Sequence, residues 1–180
     1  MRAALLAYKE RGRRDLAAPL SSLLCQALLA LAVAPGCVLV PVPSTRAAAR
    51  VRGGDHVARL VRHAVARSAA HSGVGTLVAA RQIRDCAGLS AAERITNLSF
   101  ALRAHPPPQA GLVAVLVDDV ITTGATLAEA RRALTTAGWP VAGAATVAWT
   151  PLRAVRARDG SAFLASGSHC LAGRSNVGLT

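Results

Sequence analysis

Lysine is nearly absent from this chain: Lys9 is the one lysine among 21 basic residues, so the net charge of +12 is carried by arginine. Arginine binds phosphate and carboxylate groups through a planar, bidentate fork. The charge points to anionic ligands or nucleic acid without choosing between them. Aromatic residues are scarce as well, at 3%, which weighs against recognition of single strands by stacking. The four cysteines (Cys25, Cys37, Cys86 and Cys170) form no C-x-x-C pair. A zinc ribbon is therefore not expected, and the cysteines read as reduced core residues of a cytoplasmic protein. The histidines show no metal-ligand spacing, and His56 and His63 read as surface helix residues. No Gly-Lys-Ser/Thr follows a glycine loop and no G-x-G-x-x-G opens a helix, which excludes a Walker loop and a dinucleotide fingerprint.

Charge is missing altogether from Ala17 to Thr45, a stretch long enough to cross a bilayer. Pro35-Gly36 cuts it, however, and Ser21, Ser22 and Gln26 recur at helical spacing. It reads as a buried helix, a turn and a buried strand, with no membrane partner. The charged patch from Lys9 to Asp15 does not fit a signal peptide.

What is present is apolar and small: 52% hydrophobic residues, largely Ala and Val, over 180 residues. That is enough for one domain with a substantial core, placed at residues 1–150. The remainder, 151–180, is rich in Gly, Ser and Arg and reads as a weakly structured tail. Asp15 is placed to cap a helix to about Ala32, with Leu16, Leu20, Leu23, Leu24 and Leu28 on one face. Cys37–Val42 reads as a strand and Ser44–Asp55 as an arginine- and glycine-rich loop. Asp55 caps a helix to about Ser68 whose inward residues are Val57, Leu60, Val61, Ala64 and Val65. Further strands are expected at Thr76–Ala80, Leu98–Leu102, Val113–Val117 and Val141–Trp149. Gln82–Leu89 reads as irregular, Ser90 with Glu93 as a capping box, and Leu127–Ala137 as a helix stopped by Gly138. Strands alternating with helices predict an α/β fold, a mostly parallel sheet flanked by helices on both faces.

The most informative stretch runs from Ala114 to Thr126. Four apolar residues lead into Asp118-Asp119, and Thr122-Thr123-Gly124-Ala125-Thr126 follow, opening a helix. A helix start carries unpaired N–H groups and partial positive charge, which suit a phosphate. Gly124 lets the backbone approach an oxyanion, and the three threonines offer hydroxyl donors. The two acids, one step upstream, are placed to accept hydrogen bonds from ribose hydroxyls or to help hold a hydrated cation. A phosphorylated sugar is the ligand this combination fits.

A second strand exit resembles the first. Val38 to Pro41 runs into Val42, Pro43, Ser44, Thr45 and Arg46, with Arg50, Arg52 and Gly53-Gly54 close behind. Free N–H groups from Ser44 to Arg46 suit an anion, and a basic loop beside a phosphate site is suited to closing over it.

The stretch Ala114–Thr126 resembles, at every position, the phosphoribosyl pyrophosphate (PRPP) motif of type I phosphoribosyltransferases. Pro41-Val42-Pro43, Arg50-Val51-Arg52-Gly53, Ala87–Asn97 and Asp118–Thr126 occur in the order seen in the ComF family. These are phosphoribosyltransferase-like proteins linked to DNA uptake and, in one branch, to gluconate use. The resemblance covers roughly Tyr8 to Thr150. It implies the type I phosphoribosyltransferase fold, PRPP as substrate with magnesium, and pentosyl transfer to a nitrogen acceptor. Asp118 and Asp119 would be catalytic and face the ribose hydroxyls and the metal, the latter through water or substrate. Thr122, Thr123, Gly124, Ala125 and Thr126 would cradle the 5-phosphate. Pro43, Ser44, Thr45 and Arg46 would form the pyrophosphate loop, and Arg50, Arg52 and Gly53 the closing loop. Arg94 and Asn97 would be structural or line the site, and a homodimer is expected by analogy of fold. Two departures stand out. The four-cysteine zinc ribbon found at the start of many members is not in this sequence, and Gly54-Asp55-His56 replaces an aromatic-Asn-Gln run. Thr122 occupies a position where purine-using relatives carry an acid, so a 6-oxopurine acceptor is not expected. The competing reading is a non-catalytic competence protein that binds single-stranded DNA or protein partners on the same scaffold.

Overall fold

A computed structural model describes residues 2–81, 91–121, 123–149 and 164–166. In chain order the elements are α1 (Arg2–Glu10), a 3-10 turn (Arg14–Leu16), α2 (Ala17–Ala30), β1 (Val38–Pro41), α3 (Arg46–Val51), α4 (His56–Val65), β2 (His71–Ser72) and β3 (Leu77–Ala79). They continue with α5 (Ala91–Leu98), β4 (Leu102–Ala104), β5 (Ala114–Ile121), α6 (Ala125–Thr136), β6 (Val141–Trp149) and β7 (Leu164–Ser166).

Five strands form one sheet in the order β2-β1-β5-β6-β7, and every pairing in it is parallel. The fold is therefore α/β with helices on both faces. Period-two alternation along β5 sends Val115 and Val117 to one face and Leu116 to the other. The first face packs Leu20 and Leu24 of α2, Leu60 and Val61 of α4, and Leu5 and Tyr8 of α1. The second packs Leu127, Ala130 and Leu134 of α6 with Trp139, Leu77 and Leu102. Both cores consist largely of branched aliphatic and alanine side chains, as the composition requires.

Small residues allow tight contacts between neighbouring segments. Gly73, just after β2, donates its N–H to the Leu39 carbonyl at 2.9 Å. A Cβ there would lie 2.8 Å from Val38 Cγ1 and 2.8 Å from Val40 Cγ2, so only glycine lets the chain pass this close to β1.

Several sequence expectations are corrected. Asp15 caps nothing with its side chain, since α2 starts without a side-chain cap bond and the Asp15 carboxylate takes Arg13 at 2.7 Å instead. Ser44–Asp55 is not all loop: Ala47-Ala48-Ala49 favour helix, and Thr45 caps α3 by accepting from Ala48 N–H at 3.2 Å. The strand expected at Leu98–Leu102 begins only at Leu102, because Leu98 still belongs to α5. β3 and β4 form a separate antiparallel pair rather than joining the main sheet. The tail contributes β7, which extends the sheet beside β6. β5 is longer than expected and runs through both acids to Ile121. The expected irregular run at Gln82–Leu89, the Ser90 cap, Cys86 and Cys170 lie outside the described residues.

Asp55 does cap α4, accepting from Val57 N–H at 2.9 Å and Ala58 N–H at 3.0 Å. Cys25 and Cys37 are unpaired and partly buried, and burial pushes both thiols up. A raised thiol disfavours the reactive thiolate form. Among the described residues no helix is long and apolar enough to cross a membrane.

Candidate functional site

The chain leaves β1 toward β2 on one side and leaves β5 toward β6 on the other. β1 and β5 are neighbours, so the strand order reverses between them. In open parallel sheets the crevice beyond the carboxyl ends of such a pair is where ligands bind. A pocket of about 270 Å³ lies there. Pro43 and Ser44 enter it from the exit of β1, Asp118 and Asp119 from β5, and Thr126 from the first turn of α6. Two segments singled out separately in the sequence are thereby brought into one cavity, joined by Lys9, Arg52 and His56.

β5 continues through the acids, but alternation breaks there: Val117 and Val120 both pack with the α2/α4 core and Ile121 with the α6 core, and Asp118 and Asp119 both line the pocket. Asp119 is buried at 4% exposure on the α1/α4 side. Its Oδ2 takes Lys9 Nζ at 2.8 Å and His56 Nε2 at 2.8 Å, and its Oδ1 accepts from Val120 N–H at 2.8 Å. Burial alone would raise this carboxyl. The hydrogen bond from His56 and the charge of Lys9 outweigh burial and hold it well below the usual carboxylate range. An ionised Asp119 only accepts, so His56 donates from Nε2, and a neutral imidazole then accepts at Nδ1. Ser44 Oγ stands 3.3 Å from that nitrogen, and Tyr8 donates its hydroxyl to the His56 carbonyl at 2.7 Å. The Ser44 N–H donates to Asp55 Oδ2 at 2.9 Å, so it is not free for an anion as the sequence suggested. The start of α4 thus fixes both the loop after β1 and the second acid of β5.

Asp118 behaves oppositely. Burial raises its carboxyl well above the ordinary range, and the neighbouring charge of Asp119 adds to this. Its Oδ1 accepts from Asp119 N–H at 2.8 Å. A group whose folded-state pKa is raised binds its proton more tightly in the folded chain. Folding stability therefore falls as pH rises from below the unfolded value, about 3.9, through the folded one. Asp118→Asn can keep the acceptor at Oδ1 and never ionises. It is expected to raise Tm at pH 7, with a gain that shrinks as the pH is lowered toward 4. Thermal melts at the two pH values check this, and a lower Tm at pH 7 contradicts it.

On the α6 side, Gly124 has φ +76° and the helix begins without a side-chain N-cap bond. Open space lies where a Cβ would project at Gly124. Thr123 Oγ1 accepts from Ala125 N–H at 3.3 Å, so this hydroxyl is already engaged with the backbone. Ala125 and Thr126 are half-buried.

Thr126 alone of the turn lines the pocket among the described residues; Thr123, Gly124 and Ala125 do not, and other sequence candidates fall outside the lining too. Thr45 is spent on the α3 cap. Arg50 is exposed. The Gly53 carbonyl accepts from Arg14 at 3.2 Å and from Arg59 at 3.4 Å. Arg52 does line the pocket, where its guanidinium pairs with Glu10 at 3.0 Å. Asn97 belongs to α5 and is not among the pocket's lining residues. Thr122 and the side chains of Arg46 and Arg94 lie outside the described residues.

Sequence reading missed two members of the site. His56 is not a surface residue but 4% exposed, whereas His63 is exposed as expected. Lys9 reaches the pocket from α1, an element not anticipated. The signal for α1 was faint: the apolar pair Leu5 and Tyr8, three apart, just before the one lysine.

Among the described residues no group of three His, Cys, Asp or Glu side chains could hold a metal ion. Both oxygens of Asp119 are engaged by protein donors. The residues present do not fit a magnesium ion bound directly by Asp119.

A larger groove of about 550 Å³ opens beside the start of β1, lined by Val38, Leu112 and Trp139 with no carboxylate, lysine or arginine. Charge and topology both favour the smaller pocket as the site. No protein-family model and no curated protein matches the chain.

Proposed function

We propose that this protein binds PRPP, delivered as its magnesium complex, and transfers the phosphoribosyl group to a nitrogen acceptor with release of pyrophosphate. One observation carries this reading. The acid pair of β5, the Ser44 loop of β1 and the first turn of α6 line a single pocket at the reversal of strand order. In such a site the ribose hydroxyls meet Asp118 and Asp119, the 5-phosphate meets the Thr123–Thr126 turn, and the pyrophosphate meets the Ser44 loop. The C1–oxygen bond breaks with its electron pair leaving on pyrophosphate, and the acceptor nitrogen bonds C1 and releases its proton to solvent. Fixed donors around the leaving group stabilise the charge that develops on it. Holding the ribose by two carboxylates orients C1 toward the acceptor. Magnesium enters with the substrate, coordinated by its phosphate oxygens.

The net charge of +12 supports a second reading, in which the chain is a competence protein binding single-stranded DNA on this scaffold. Calorimetry of the full chain separates the two. Binding of PRPP with magnesium in the micromolar class, about −8 kcal/mol, is the expected result. Salt-sensitive binding to a single-stranded oligonucleotide with no heat from PRPP would overturn the first reading in favour of the second.

A further inference from the structure

Lys9 is the chain's one lysine, and α1 places its ammonium on the most enclosed carboxylate of the pocket. Nζ lies 2.8 Å from Asp119 Oδ2, with 30% of the Lys9 side chain exposed and 5% of the Asp119 side chain. An ammonium has three N–H donors. Among the described residues Asp119 is the acceptor given to Lys9, so two donors remain for the pocket that Lys9 lines. Arg52, which lines the same pocket, is tied to Glu10, the next residue of α1. A direct metal ligand at Asp119, by contrast, would have to compete for the lone pair of Oδ1 that the proposed ribose hydroxyl would use. At Asp119, Oδ2 already serves Lys9 and His56, and Oδ1 serves the Val120 N–H.

We propose that Lys9 is an anion-binding residue of this pocket: it occupies the place a protein-bound metal ion would take against Asp119 and donates its remaining N–H groups to the phosphate oxygens of the ligand. A bond from Lys9 to a phosphate oxygen is charge-assisted and strong. The bond to Asp119 holds the amine in position before the ligand arrives, which lowers the ordering cost of binding. The inference rests on the functional reading only in taking the ligand to be a phosphorylated sugar, and its anion chemistry holds without the sugar.

The chain's single lysine makes the test site-specific. Amine acetylation of the wild-type chain, read by mass spectrometry at Lys9, is compared without ligand, with inorganic pyrophosphate and with PRPP, each in EDTA. Pyrophosphate is expected to slow acetylation of Lys9 by about fivefold or more, as engagement of the amine in charge-assisted bonds requires. In parallel calorimetry, Lys9→Met is expected to weaken pyrophosphate at least about tenfold in EDTA, and Lys9→Arg to stay within about threefold of wild type. Unchanged acetylation together with unchanged affinity of Lys9→Met overturns the proposal. So does tighter pyrophosphate binding by Lys9→Met in magnesium, which would make Lys9 a competitor of the metal rather than a ligand of the anion. If Lys9→Met fails to fold, the acetylation of wild type decides alone. Protection by pyrophosphate with no binding of PRPP keeps the role of Lys9 and removes the sugar reading. Binding of PRPP with no effect at Lys9 does the reverse, and no binding of either anion removes both.

Discussion

The double variant Asp118→Asn/Asp119→Asn is expected to lose PRPP affinity by at least about 30-fold while its affinity for inorganic pyrophosphate stays level or rises. Two effects of opposite sign act on the pocket. The ionised Asp119 carboxylate accepting from a ribose hydroxyl contributes about 1.5–3 kcal/mol, and Asp118, whose carboxyl is raised toward the protonated form, about 0.5–1.5 kcal/mol, so removing both costs about 2–4.5 kcal/mol of binding. The ionised Asp119 also repels an anionic ligand, and its removal relieves that repulsion. Without Asp119 charged, Lys9 and His56 (each 2.8 Å from its Oδ2) lose their anionic partner and are freer to meet phosphate. A ligand with ribose therefore weakens, and a ligand without it does not. Calorimetry with the two anions side by side gives the answer. Parallel loss of both would place the acids in folding rather than in sugar recognition. Unchanged PRPP affinity would remove them from the site.

The largest expected effect on stability lies on the other face of the sheet. Glu129 of α6 is 7% exposed. It accepts from Leu102 N–H at 3.0 Å and from Arg132 at 2.8 Å through each oxygen. Burial acts to raise this carboxyl, but the hydrogen bonds from Arg132 and Leu102 lower it overall. Arg132 in turn donates to the Leu102 carbonyl at 2.9 Å, and its guanidinium stacks over the Phe100 ring at 4.7 Å. These contacts tie the antiparallel β3–β4 pair to α6. Glu129→Ala leaves the Leu102 N–H unpaired in the interior and releases Arg132. Because Arg132 is a third exposed, solvent screens its share, and a loss of about 2–3 kcal/mol is expected. For a chain of this length that corresponds to a fall in Tm of about 4–12 °C. Glu129→Gln keeps an acceptor for Leu102 and is expected to lose less. PRPP affinity of folded Glu129→Ala is expected to stay within about threefold of wild type, since Glu129 does not line the pocket. A Tm unchanged by Glu129→Ala contradicts this account of the β3–β4 pair.

The strand, acid pair and threonine turn of β5 and α6 were legible in the sequence because they are local. The run Ala114–Val117 is apolar on both faces, as a central parallel strand requires, and the helix that follows has its own period. The β1 exit was legible for the same reason, with Pro43 marking its end. That the two exits meet follows from strand order, which the spacing alone did not state. The Asp55 cap was also legible, and one further step would have found His56: it lies four residues before Leu60, which is inward-facing and fully buried. Its contact with Asp119 spans 63 residues, and no local pattern encodes such a distance. Lys9 was hidden more deeply, since its position next to Glu10 and Arg11 reads as a solvated patch. The β3–β4 pair was misread for a different cause. Short apolar runs such as Leu77–Ala79 and Leu102–Ala104 show strand character but not which sheet they join.

That the acids, the serine loop and the first turn of α6 hold a phosphorylated sugar is the central proposal, and a crystal structure of the chain with PRPP tests it most directly. The account predicts the ribose hydroxyls on Asp118 and Asp119 and the 5-phosphate against Thr123 to Thr126. PRPP bound elsewhere, or a pocket left closed by Lys9 and His56 at saturating PRPP, would contradict it.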